Sequence, residues 1–100
     1  MSNIDKILDR HGLTLPQAKT PLGAYAPYVP SGNLLMISGQ GPVGASGAVV
    51  TGRLGDSLEI EDGTRAAQMA GLNIVAQLKA ALAGDFDRLV RVVRLNGFVN

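Results

Sequence analysis

The sequence predicts an α+β domain, and three stretches are the basis of that prediction. Residues Leu34 to Ile37 form an unbroken apolar run directly after the turn signal Ser31-Gly32-Asn33, as in a β-hairpin. Residues 59 to 83 repeat small and apolar side chains at helical spacing. Residues 89 to 100 are rich in β-branched side chains, which favour a strand. We therefore expect a sheet with one face covered by a long helix.

A short helix is predicted before the sheet, at about residues 3 to 11. Ser2 or Asn3 suits its N-cap, and Gly12 suits its C-terminal stop. The next residues, 13 to 22, contain two prolines and are predicted to form an extended linker.

The two hairpin strands are predicted at about residues 24 to 30 and 34 to 40. Because the run from Leu34 to Ile37 does not alternate with polar residues, it favours a strand covered on both faces. The following glycines, Gly39 to Gly44, match the G-x-G-x-x-G pattern of dinucleotide-binding folds. In dinucleotide-binding folds a helix begins at these glycines. Here residues 48 to 51 are instead predicted to form a third short strand, so we interpret the glycines as part of a turn-rich hairpin.

The main helix, predicted at 59 to 83, contains two polar features that need an interpretation. Glu59, Glu61 and Asp62 are either a metal site or acid/base pair, or carboxylates that stabilise the helix dipole, and the dipole interpretation is favoured. Asn73 interrupts the apolar arc and is predicted to hydrogen-bond loop backbone. The predicted apolar stripe consists of Ala67, Gly71, Ile74, Val75, Leu78 and Leu82.

Polarity returns abruptly after the apolar strand, at Ser38-Gly39-Gln40. A glycine allows a backbone N–H to come close to a small anionic group, and the neighbouring hydroxyl of Ser38 can donate or accept a hydrogen bond. These residues predict a ligand site. The alternative from the residues alone is a strand end followed by a bulge.

Composition limits the classes of function. The chain has 100 residues, 46% of them hydrophobic, with a net charge of +1, four aromatic residues and no cysteine. These values predict one domain over residues 1 to 100 without disulfides, and they offer little for binding nucleic acid. No apolar run is long enough to span a membrane and no signal peptide is apparent, so the expected location is cytoplasmic. The small core makes oligomerisation plausible.

Four motifs in order resemble one known family. They are P-L-G-x-Y at 21 to 25, S-G-N-L-L-x-I-S-G-Q-x-P at 31 to 42, G-x-x-A-x-x-x-x-x-L-N-x-x-x-x-L at 63 to 78, and V-V-R-L-x-G-F-V at 92 to 99. The chain is similar to the RidA/YjgF family of enamine/imine deaminases, also called endoribonuclease L-PSP-like. The resemblance implies a chorismate-mutase-like fold, a mixed sheet covered by helices on one face, here incomplete at the C-terminus. It also implies a homotrimer with sites between subunits.

The resemblance implies hydrolysis of reactive 2-enamine or 2-imine acids, such as 2-aminoacrylate, to 2-keto acids and ammonia. Tyr25 and Ser38 would be catalytic, and Gly39 and Gln40 would bind substrate. No cofactor or metal is implied. The family's water-activating acid and carboxylate-binding Arg have no counterpart here, so we expect the native chain to continue past Asn100 if the protein is an enzyme. The alternative is a non-catalytic member that binds small carboxylates or a protein partner, and RNA cleavage ranks last.

Three arginines, Arg88, Arg91 and Arg94, recur every third residue. On a strand, Arg91 faces opposite to the other two, so a solvated or ion-paired role is favoured over phosphate binding. Arg91 or Arg94 could hold the substrate carboxylate only if its face of the strand points into the cleft.

Overall fold

The computed structural model of this chain describes residues 2–19, 23–44 and 49–100. Its elements in chain order are helix α1 (Asn3–Arg10), strands β1 (Tyr28–Ser31) and β2 (Leu34–Ile37), helix α2 (Ile60–Ala81) and a short 3-10 turn (Phe86–Arg88). The two strands form an antiparallel sheet, and α2 packs against β2. This arrangement confirms the predicted α+β class.

Helix α1 begins where the sequence predicts, because Ser2 caps it. The Ser2 Oγ accepts a hydrogen bond from the Asp5 N–H at 3.1 Å, and the Ser2 N–H donates to the Asp5 carboxylate at 3.1 Å. This reciprocal capping box satisfies two backbone donors that the first turn would leave free. The chain leaves the helix at Gly12, whose φ of 65° suits a glycine.

The hairpin has the predicted turn but shorter strands than predicted. Ser31 pairs with Leu34, so Gly32 and Asn33 form a two-residue turn, with Gly32 at a φ of 57°. Residues 23 to 25 bend instead of pairing, and β2 ends at Ile37 instead of continuing to residue 40. Thr20 to Leu22, where the linker and the first motif meet, lie outside the described residues.

Strand β2 is covered on one face only, so the prediction of coverage on both faces was wrong. Leu35 and Ile37 are partly buried, whereas Leu34 and Met36 are exposed. The cause is the side-chain period of two: α2 packs against one face of the hairpin, and nothing among the described residues covers the other. The exposed face consists of Val29, Leu34 and Met36, and we call it the open hairpin face.

Helix α2 has the predicted extent within two residues, with Glu59 at its N-cap. The Glu59 N–H donates to the Asp62 carboxylate at 2.8 Å, and Asp62 also pairs with Arg65, which supports the structural interpretation of the acidic start. The buried face differs from the predicted stripe. Asn73, Ala76 and Gln77 are its most buried residues, while Ala67 on the predicted stripe is exposed. No helix of the described ranges is long and apolar enough to cross a bilayer.

No helix begins within residues 39–44 or 49–59, the parts of the glycine-rich segment and its continuation that the structure describes, which supports the turn-rich interpretation. Val43 and Val49 form an isolated antiparallel bridge, and the Val50 N–H donates to the Pro42 carbonyl at 3.1 Å. The predicted third strand is thus reduced to one bridge, and its first residue, Ala48, lies outside the described residues.

Residues 89 to 100 are not a strand, so that prediction was wrong. They contain no helix or strand, and every one of them except Leu89 is exposed. The Asn100 carbonyl accepts a hydrogen bond from the Leu54 N–H at 3.0 Å, but no neighbouring strand pairs with the segment among the described residues. A β-branched sequence becomes a strand only when a partner takes its backbone hydrogen bonds.

Candidate functional site

Ser38 is held at the end of the hairpin by two hydrogen bonds to the opposite segment. Its Oγ donates to the Ala26 carbonyl at 2.5 Å, and its N–H donates to the Pro27 carbonyl at 2.9 Å. These bonds extend the pairing of the hairpin past the last residue of β2. While the Oγ–H is engaged, the hydroxyl has only its lone pairs left for a ligand, so Ser38 can accept but not donate.

Gly39 provides the free donor at this position. It is exposed, and no acceptor among the described residues takes its N–H. A Cβ placed on Gly39 would meet no atom within 4 Å, so the space beside its backbone is open. An unpaired N–H next to open space is suited to binding an anionic oxygen.

Gln40 folds back on the same short segment. Its Nε2 donates to the Ser38 carbonyl at 3.1 Å, and its side chain is partly buried. This bond orients the Gln40 amide beside Gly39. The sequence-predicted residues Ser38, Gly39 and Gln40 therefore form one local structure, stabilised by bonds within it and to Ala26 and Pro27.

Tyr25 is next to the residue whose carbonyl binds Ser38. Its N–H donates to the Gly23 carbonyl at 3.0 Å, and its ring is half exposed. A Cβ on Gly23 would come within 3.1 Å of the Tyr25 Cε1, so the ring lies over the glycine backbone. Any larger residue at position 23 would push the ring aside. The Ser38–Ala26 bond thus brings Tyr25 and Ser38 to the same end of the hairpin.

Asn73 of α2 holds the segment that follows the candidate residues. Its Nδ2 donates to the carbonyls of Gly41 and Val43, both at 3.0 Å, and the residue is only 1% exposed. This confirms the prediction that Asn73 bonds loop backbone. Among the described residues, its Oδ1 accepts no hydrogen bond.

Gln77 is a buried polar residue that sequence reasoning missed. It is 1% exposed, and its Nε2 donates to the Lys19 carbonyl at 2.8 Å. Glutamine is usually a surface residue, so its burial could not be expected from its type. Its position was informative, because residues four apart lie on the same face of a helix and Asn73 was already expected to face inward.

Two surface grooves lie away from the candidate residues. One, of about 270 Å³, lies between the start of α1 and the segment around Phe86, and the other, of about 490 Å³, lies between α1 and Lys79. Neither includes Tyr25, Ser38, Gly39 or Gln40.

The charged groups of the described residues are arranged as surface residues. Arg88, Arg91 and Arg94 are exposed, and the Arg94 Nε donates to the Asn96 side chain at 3.2 Å. Neither Arg91 nor Arg94 forms a hydrogen bond with the candidate residues. Within residues 2–19, 23–44 and 49–100, no group of three or more acidic or histidine side chains is placed to hold a metal ion.

Comparisons with known proteins identify relatives over most of the chain. The family model described as "YjgF/chorismate mutase-like, putative endoribonuclease" matches residues 5–100. Protein TCP17 of Trypanosoma cruzi is 48% identical over 93 residues, which cover 93% of this chain and 58% of that protein.

Two solved structures are similar in sequence and fold. Protein Atu1372 of Agrobacterium tumefaciens, of unknown function, has 42% identity and a TM-score of 0.77, and the match covers 90% of this chain and 54% of that chain. A "putative endoribonuclease" from Shewanella oneidensis MR-1 has 37% identity and a TM-score of 0.75, over 82% of this chain and 54% of that chain. The chain thus spans little more than half the length of these relatives. With a family model matched over residues 5–100, this chain belongs to the YjgF/chorismate mutase-like family.

Proposed function

We propose that this chain contributes the hairpin part of a site that hydrolyses reactive 2-enamine or 2-imine acids to 2-keto acids and ammonia. The main observation in support is the open N–H of Gly39, held beside the anchored Ser38 and at the same end of the hairpin as Tyr25. Membership of the family supports the same assignment.

The proposed reaction needs little from the protein beyond positioning. An enamine substrate first becomes the imine as C3 gains a proton and the nitrogen loses one. Water then adds to the electrophilic imine carbon to give a carbinolamine. The hydroxyl of the carbinolamine loses its proton and the nitrogen gains one, so that the C–N bond breaks, the C=O bond forms and ammonia leaves. In this proposal the Gly39 N–H binds a substrate carboxylate oxygen, Ser38 accepts a hydrogen bond from the substrate nitrogen or water, and the Tyr25 hydroxyl orients the substrate. Such positioning of reactants is a large source of rate acceleration.

Substitution of Tyr25 tests this proposal most directly. Tyr25→Phe deletes one hydroxyl from a half-exposed ring and should lower keto-acid release while leaving the unfolding midpoint unchanged. The assay generates 2-aminoacrylate in situ and follows pyruvate. Tyr28→Phe is the matched control, because it removes the same hydroxyl from β1 and should leave turnover unchanged. Equal turnover by wild type and Tyr25→Phe would contradict the role of Tyr25.

Ser38→Ala is expected to behave differently. It removes the hydrogen bond to the Ala26 carbonyl, so it should lower both turnover and thermal stability. A loss of stability with unchanged turnover would assign Ser38 to the fold alone. If the wild-type chain itself releases no pyruvate above the uncatalysed rate, the proposed activity fails for this chain. Binding of a small 2-keto acid, measured by NMR titration, would then favour the non-catalytic alternative.

RNA cleavage, which ranks last on the sequence alone, is tested as well, because the Shewanella oneidensis relative is described as a putative endoribonuclease. Incubation of the same preparation with single-stranded RNA tests it. Cleavage that persists in Tyr25→Phe and occurs without imine turnover would replace the first proposal.

We further propose that the chain assembles into a homotrimer and that other copies cover the open hairpin face. Val29, Leu34 and Met36 are exposed together on that face, and a contiguous apolar patch commonly marks an interface. Light scattering at micromolar concentration should give a mass three times that of the chain. Met36→Lys, which places a charge on the open hairpin face, should lower the measured mass toward that of the monomer. A monomeric mass for the wild type would contradict assembly.

A further inference from the structure

Two buried amides on one face of α2 hold the two chain segments that flank the hairpin. Asn73 binds the carbonyls of Gly41 and Val43, directly after the last candidate residue. Gln77 binds the carbonyl of Lys19, upstream of Tyr25. Because the two residues are four apart, they lie one helical turn from each other, separated by about 6 Å along the axis. The entry and the exit of the hairpin are therefore fastened to adjacent points on one rigid element.

These bonds are partly shielded from water. Both amides are 1% exposed, so loss of either one removes the hydrogen bonds that hold its carbonyl partners, Gly41 and Val43 or Lys19, against the helix, and the released segment can move toward solvent. Movement of the segment is the available response, since Gly39 and Gly41 are exposed and a Cβ on either would meet no backbone atom within 4 Å. Loss of an amide should thus displace the hairpin rather than only weaken the helix.

We propose that Asn73 and Gln77 are positioning residues that act as one clamp, setting the place of the Tyr25 to Gln40 hairpin relative to α2. The part of this inference that concerns turnover rests on the proposed imine hydrolysis. Neither side chain touches the open space beside Gly39. The clamp acts on the reaction through the backbone that presents the Gly39 N–H, Ser38 and Tyr25.

The experiment is a double-mutant cycle on the full 100-residue chain with Asn73→Ala, Gln77→Met and the double variant. Gln68→Met is the matched control, since Gln68 lies on the exposed side of the same helix. Hydrogen exchange of backbone amides, measured by mass spectrometry, reports on residues 39 to 44 independently of activity. Steady-state kinetics reports kcat and KM separately.

If the clamp exists, the hydrogen-exchange rate of the backbone amides of residues 39 to 44 should rise about tenfold in either single variant. A rise of this size is expected because each variant loses hydrogen bonding of ordinary strength. Exchange in the middle of α2 should stay near the wild-type rate. The value of kcat should fall more than KM rises, and the second substitution should add little to the first, because either one already frees the hairpin. Gln68→Met should change none of these quantities.

Several results would overturn the inference. Uniformly faster exchange along the whole chain would show that the amides only stabilise the fold, and multiplicative effects on kcat would show two independent bonds. If Asn73→Ala fails to fold, Gln77→Met and its exchange pattern decide alone. A wild type without imine turnover, combined with local exchange changes at residues 39 to 44, would reject the proposed function and retain the clamp.

Discussion

The hairpin with α2 and the segment from residue 89 to 100 both contain many apolar side chains, but they differ in their hydrogen-bond partners and in their burial. The hairpin strands pair their backbone groups with each other, and the Asn73 and Gln77 amides of α2 bind backbone carbonyls of the segments that flank the hairpin. Residues 89 to 100 are richer in β-branched side chains than either the hairpin or α2, yet Val90 is 92% exposed and Phe98 is 95% exposed. The two regions show that apolar composition does not by itself produce buried structure. A segment becomes ordered structure when a partner takes its hydrogen bonds and its surface.

Helix α1 combines capping with partial packing. Ser2 and Asp5 satisfy its first backbone donors, and the helix contacts the 3-10 turn at Phe86–Arg88 with Ile4 and Leu8 partly buried. A helix of this length needs such tertiary contacts in addition to its cap.

The largest loss of stability is expected for Phe86→Ala, a substitution at a buried position just before the exposed segment. Phe86 is 3% exposed beside α1, so its removal deletes a buried ring and leaves a cavity. The free energy of unfolding should fall by about 3 kcal/mol, as for large-to-small changes in other cores. Urea unfolding followed by circular dichroism measures it. A loss below about 1 kcal/mol would mean that the site collapses around the missing ring.

A smaller effect of opposite sign is expected inside α2, with Gly71→Ala. Outside the helix's own backbone, a Cβ at Gly71 would meet no atom within 4 Å, so alanine restricts the unfolded chain without a clash. The free energy of unfolding should rise by about 0.5 to 1 kcal/mol. Gly63→Ala is the matched control, because its Cβ would lie 2.9 Å from the Leu54 Cδ2 and the gain should be lost there. Equal gains at both positions would show that Leu54 moves freely.

The capping box of α1 should make the start of the chain sensitive to acid. The hydrogen bond from the Ser2 hydroxyl, helped by the Ser2 N–H, lowers the pKa of Asp5 below its ordinary value near 3.8. A lowered pKa in the folded state means that this stabilisation is present above the ordinary value and is lost as pH falls through the folded value. NMR shifts of the amides of residues 3 to 6 should report fraying in acid. Ser2→Ala should leave the pKa of Asp5 closer to its ordinary value, and an unchanged titration would contradict the capping role.

The sequence predicts best those elements whose structure is determined by interactions between residues close together in the chain. The turn at Gly32, the start of α1 and the end of α2 follow from caps and turns within a few residues, and these were predicted. The inward role of Asn73 followed from an amide on an apolar arc. Gln77 was missed because glutamine is usually a surface residue, although its place one helical turn after Asn73 indicated the same face. The strand predicted at 89 to 100 failed because pairing is decided by a partner that the segment's own sequence does not specify.

The smallest effect is expected at the exposed side of the comparison, with Phe98→Ala. This ring is 95% exposed and has no burial to lose, so the free energy of unfolding should change by less than about 0.5 kcal/mol. The substitution is the same as that at Phe86, so the two variants differ only in what surrounds the ring. Both are measured by urea unfolding at two protein concentrations tenfold apart. A loss above about 1 kcal/mol at both concentrations would show that residues 89 to 100 pack within the chain, contrary to the structure. A loss that grows with concentration would instead place Phe98 against another copy, because only an intermolecular contact depends on mass action.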